Sequence, residues 1–167
     1  MLELKPITKE GIPNALEKAM RYRLLNDPWQ AESICRDVLR TEPGNQQALL
    51  TLVLAITDQF EGEYRASIHQ AMEFVARISD PYQAEYCRGI VHERQATAAL
   101  KRSTPRAHYI AYDHLRRAMQ HYEEAQQHMP EGIEDAILRW NACARMINRH
   151  GLKPAPEEKG VQPFLDV

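Results

Sequence analysis

Three groups of side chains in this sequence are of types that do chemistry. His114, His121 and His128 stand seven residues apart, and on a helix that spacing puts them on nearly one face. A row of imidazoles suggests a metal site. Successive members, however, lie about 10.5 Å apart along a helix axis, and zinc–nitrogen bonds are about 2 Å long. Three imidazoles of one helix therefore cannot share an ion. They flank the apolar stripe of their segment, so a solvated edge is expected; a metal would need His108 or the histidines of another chain. Cys35, Cys87 and Cys143 are odd in number and separated by 52 and 56 residues, with no CxxC or zinc spacing. They read as reduced thiols at small apolar helix positions. His92-Glu93 lacks the second histidine of a zinc-protease helix, and GxSxG, GxGxxG and a glycine-rich phosphate loop are all missing. No catalytic residue, cofactor or resident metal is expected.

Charge narrows the partner. The loop Leu100-Lys-Arg-Ser-Thr-Pro-Arg-Ala-His108 is basic and Arg116-Arg117 follow, but residues 84–125 hold seven basic and five acidic side chains. The whole chain carries 21 Lys plus Arg against 23 Asp plus Glu, a net charge of -2. Displacing counterions from nucleic acid needs a basic excess, so no nucleic acid is expected. The N-terminus has no apolar signal core, and the longest apolar-rich run, Ala48–Ile56, falls far short of the ~20 residues that span a bilayer. No membrane is expected, and the cytoplasm is the expected compartment.

The elements that must position any site are helices. Apolar residues recur at i, i+3, i+4 and i+7 over most of the 167 residues, and strand-type alternation is nearly absent. A first helix is expected from about Pro13 to Leu25. Asp27-Pro28 caps and opens a second, which ends near Thr41-Glu-Pro-Gly-Asn45. A third runs to about Asp58, and a fourth, after Phe60-Glu-Gly-Glu63, to about Ile78. Asp80-Pro81-Tyr-Gln-Ala-Glu85 repeats the pattern of Asp27-Pro28-Trp-Gln-Ala-Glu32 and opens a fifth, reaching Lys101. A sixth follows Thr104-Pro105 and stops at Met129-Pro-Glu-Gly132. A seventh spans Ile133 to Arg149, with Gly151 as its C-cap. From Lys153 three prolines forbid a regular helix. The fold class is all-α, with about seven helices.

Residues 12–45 are 34 long and contain Ala19, Tyr22, Ala31, Cys35, Val38 and Pro43 in fixed order. Ala118, Tyr122, Ala125 and Pro130 repeat the second half of that spacing. Small residues permit two helices to approach closely, and a ring fills the space beyond. This pattern resembles the tetratricopeptide repeat family over about residues 12–149. Pro43, Pro81 and Pro130 stand 38 and 49 apart against a period of about 34, so the repeats are divergent. The resemblance implies a right-handed α-solenoid of antiparallel helix pairs: an extension over 1–11, repeats over about 12–45, 46–81 and 82–130, a capping helix over 133–149, and a tail over 151–167.

It also implies a function. The first helix of each pair lines a concave face on which family members hold extended peptides. That mapping selects Leu16, Met20, Arg23 and Leu24; Leu50, Leu54 and Asp58; Arg88, His92 and Gln95; and Ile137, Asn141 and Arg145. A register shift in the fifth helix would replace Arg88 and His92 by Tyr86, Ile90 and Arg94. Leu16 and Met20 stand where one family subtype carries its Lys/Asn carboxylate clamp, which disfavours that function. The expectation is a non-catalytic scaffold binding a peptide or partner protein in the groove. The alternative is a self-assembling homodimer built on the long fifth and sixth helices or on the tail. The segment Val161-Gln-Pro-Phe-Leu-Asp-Val167, apolar with an acidic end, complements the groove and is expected either to dock there or to be disordered.

Overall fold

The computed structural model describes residues 2–62, 67–102 and 104–156. Among these residues there are seven α-helices and no strand: α1 (Ile12–Leu24), α2 (Pro28–Thr41), α3 (Gln46–Thr57), α4 (Ile68–Val75), α5 (Pro81–Lys101), α6 (Ala107–Gln126) and α7 (Asp135–His150). The punctuation does what its chemistry dictates. The side chains of Asp27, Asn45 and Asp80 accept hydrogen bonds from the amides of Gln30, Ala48 and Gln83, and Ser67 does the same for Gln70. Each satisfies an N-terminal amide that has no partner within its helix. Gly151 adopts φ 59° and ends α7, while the Leu152 amide donates back to the Ile147 carbonyl. That turn folds Leu152 under the helix, where it is buried.

Three bounds differ from the sequence expectation. α4 stops at Val75, because Arg77 and Ile78 turn back on the carbonyls of Phe74 and Val75 in tight i→i+3 bonds. α6 starts at Ala107, past the Thr104-Pro105 signal, and ends at Gln126. α7 starts at Asp135, after Ile133.

Each helix packs on neighbours one or two steps along the chain: α1 on α2 and α3, α3 on α4 and α5, α5 on α4 and α6, and α6 on α7. The apolar interior is correspondingly in two parts. One joins α1–α4 to Ala84, Cys87, Val91 and Ala98 of α5. The other joins Tyr82, Ile90, Ala96 and Ala99 of α5 to α6, α7 and Leu152. α3 is almost wholly enclosed. Leu49, Leu52 and Ile56 have no exposure at all, and each contributes about 1.5–3 kcal/mol by burial.

The same buried spacing, four residues and then three, occurs at Ala31-Cys35-Val38, Ala71-Val75-Ile78 and Ala118-Tyr122-Ala125. The middle set escaped the sequence pattern because Pro81 follows Ile78 two residues earlier than Pro43 follows Val38 and Pro130 follows Ala125. The three cysteines are free and buried, and burial first of all pushes each thiol up to about 12. No helix is long and apolar enough to cross a membrane, among the described residues. The segment Val161–Val167 lies outside the described residues.

Candidate binding face

The first helix of each sequence pair contributes to one wall. At the end of α1, Asn26 takes φ 59°, a left-handed conformation that asparagine tolerates better than most residues. The Asp27 amide then reaches back to the Tyr22 carbonyl at 2.9 Å. This sharp turn sets Arg23 and Leu24 beside the C-terminus of α3. There Arg23 Nε donates to Asp58 Oδ2 at 2.8 Å. From α5, Arg94 Nη2 lies 3.6 Å from the other oxygen of Asp58, close enough for ionic attraction but beyond hydrogen-bonding distance. Arg94 Nε is buried with no protein partner.

These groups border an open cavity of about 400 Å³, lined also by Leu24, Asn26 and Glu61. Lys101 pairs with Glu61 at its edge. Two guanidiniums share one carboxylate, so the wall carries a local positive excess and unused donors suited to a carboxylate. Beside it Met20 is 50% and Leu24 87% exposed.

The other expected site residues are distributed differently. Leu16 is 4% exposed and belongs to the first core, so no partner can reach it in this state. Leu50 and Leu54 are half-buried, packed on the first and second cores respectively. Arg88 is held by Glu85 one turn earlier. His92 is 8% exposed and lies on the α6 side of α5, its ring between those of His114 and His121 at centroid distances of 5.3 and 5.6 Å. Two residues turn a helix by about 200°, so Arg94 reaches the wall and His92 cannot. Of the two registers for α5, the shifted one supplies the wall's cation, although its Ile90 is core. Asn141 is half-buried and Arg145 exposed, and the helix period sets both across α7 from buried Ala136 and Cys143.

His114 and His121 are not a solvated edge: α5 covers the face that their spacing creates, and only His128 of the three is exposed. His92 is pushed down to about 4, first by burial and then by His114, His121 and Arg117. His114 is lowered too, by burial and Arg117 against the opposing pull of Asp113. The unfolded chain protonates these rings near pH 6.5 while the folded chain resists. Stability is therefore expected to decline as pH falls from about 6.5 towards 4, by about 3 kcal/mol for His92. Denaturation midpoints in chelator-containing buffer across that range, compared with His92→Phe, check this. The variant should lose about one proton's worth of slope, and equal slopes would refute it.

Glu93, next to His92, belongs to no motif in the sequence. It is buried between α6 and α7, accepting from Tyr122 Oη at 2.6 Å and from Arg139 Nη1 at 3.0 Å. Burial and the Glu93 carboxylate hold the Tyr122 phenol far above its ordinary range, which keeps it a donor.

No protein-family model matches the chain, and neither a curated protein nor a solved structure matches it.

Proposed function

We propose that this chain is a non-catalytic scaffold of tetratricopeptide-like helix pairs, a right-handed solenoid that holds a segment of another protein against the wall of α1, α3 and α5. The observation that carries this reading is the Arg23–Asp58–Arg94 bridge across those three helices, with exposed Met20 and Leu24 next to it. The serial packing of neighbours and the buried four-then-three spacing, each time opening on an alanine, support the repeat. A preformed wall leaves most of the ordering entropy with the ligand. Arg94 and Arg23 would take a carboxylate of the partner, from an acidic side chain or a chain terminus, and Met20 and Leu24 its apolar neighbours. Asn141 and Arg145 would extend the same face onto α7.

Peptides selected on the wild-type chain from a random display library test this directly. Changing Met20 and Leu24 together to Asp, or Arg94 to Glu, should weaken a selected peptide by about 1–3 kcal/mol with the circular dichroism unchanged. These side chains are exposed or half-buried, so the fold should tolerate the changes. Selected peptides that bind all variants equally would remove this wall as the binding surface.

A further inference from the structure

The seam between α5 and α6 gathers groups that the binding face does not use. Glu85 on α5 meets His121 on α6, whose Nδ1 lies 2.9 Å from Glu85 Oε2. Glu124 follows His121 by three residues and so shares its helix face. One donor atom from each of Glu85, His121 and Glu124 comes within 4.8 Å of the other two. Ligands bonded to one ion at about 2.0–2.2 Å stand about 3–4.4 Å from each other, so small side-chain rotations close the triangle. We propose that Glu85, His121 and Glu124 form a binding site for a divalent transition-metal ion of the zinc type, bridging the two longest helices of the chain.

The donor set selects the ion. An imidazole favours zinc, nickel or iron over magnesium and calcium, and two carboxylates disfavour copper(I). The surroundings already hold two of the three ligands in place. Arg88 binds Oε1 of Glu85, which fixes the plane of the carboxylate and leaves Oε2 for the ion. Behind His121 the ring of His92 lies parallel within 3° at 5.6 Å. His92 Nδ1 is in turn 3.0 Å from His114 Nδ1. Packing against the His92 ring restricts the rotation of His121 before the metal arrives. Glu85 and His121 are half-buried, while Glu124 is exposed and leaves the site open to entering ions. Of the cations near the site, Arg88 binds Glu85 directly, and Arg117 stands one turn before His121 on α6. Histidines spaced along one helix cannot share an ion; here a carboxylate of the neighbouring helix supplies the missing ligand, and His114 lies outside the ligand set.

Isothermal titration of the untagged full chain with zinc chloride tests the site, with cobalt(II) absorption as a direct readout of coordination. The expected result is saturable binding of one zinc ion per chain. His121→Ala should weaken it by at least about tenfold and remove the cobalt bands, and Glu124→Gln should weaken it clearly. His128→Ala should keep the wild-type isotherm. Because Glu124 is exposed, its variant remains folded and decides the matter even where His121→Ala does not. Three results would each overturn the proposal: no saturable zinc binding, wild-type binding by folded Glu124→Gln, or loss of binding in His128→Ala.

Discussion

Replacing Gly89 by alanine is expected to lower the melting temperature by roughly 6–12 °C, corresponding to about 3 kcal/mol in a chain of this size. Helix propensity alone points the other way, since alanine in a helix interior gains about 1 kcal/mol over glycine. Packing decides the sign. A Cβ at position 89 would stand 2.3 Å from Cε1 and 2.6 Å from Cδ1 of Tyr122. That ring has nowhere to go, because it is fully buried and its hydroxyl is bound to Glu93. Adding Tyr122→Ala to Gly89→Ala should reverse the ranking: with the ring gone the methyl fits, and the double variant should be at least as stable as Tyr122→Ala alone. A neutral or stabilising Gly89→Ala, measured by calorimetry, would mean that α5 and α6 do not approach this closely.

Glu93→Ala is expected to cost about 2–4 kcal/mol. Removing one partner of a buried ion pair costs about 3–5 kcal/mol, discounted here because the Arg139 side chain is 36% exposed and water can screen part of its charge. The Tyr122 hydroxyl would also lose its acceptor inside the core, which is costly in itself. Glu93→Gln keeps one acceptor oxygen, which can serve Arg139, while its amide NH2 can donate to the Tyr122 hydroxyl oxygen, and it should cost about half as much or less. In a double-mutant cycle with Tyr122→Phe, coupling of about 0.5–3 kcal/mol is expected. Chemical denaturation of the four proteins supplies the numbers. A Glu93→Ala chain within 0.5 kcal/mol of wild type would show that this network does not hold α5, α6 and α7 together.

Local chemistry was legible in the sequence, and long-range pairing was not. Asp27, Asn45 and Asp80 announce their helices because a cap acts within four residues, and Gly151 announces an end for the same reason. The packing triplet Ala71-Val75-Ile78, which runs past the end of α4, was hidden by an early proline, although its buried spacing matches that of α2 and α6. The wall was half visible. Arg23 and Asp58 come from the mapping that the family resemblance implies, but the choice between His92 and Arg94 turns on the rotation of α5 about its axis, which a proline at its first turn does not set. Leu16 shows the limit of a face assigned by analogy. The same stripe that could meet a ligand in α1 meets α2 and α3 instead. The Glu85–His121 pair joins residues 36 apart in sequence, and no pattern within either helix predicts it.

α5 lends side chains to both apolar interiors, and this ties the fate of the two ends of the molecule together. Were each interior closed by its own helices, the N-terminal and C-terminal halves could melt one after the other. With a common central rod, stripping either half lays bare one flank of α5 and weakens what the other half rests upon. Disorder that starts at a terminus must therefore either stop short of this rod or spread through the whole chain.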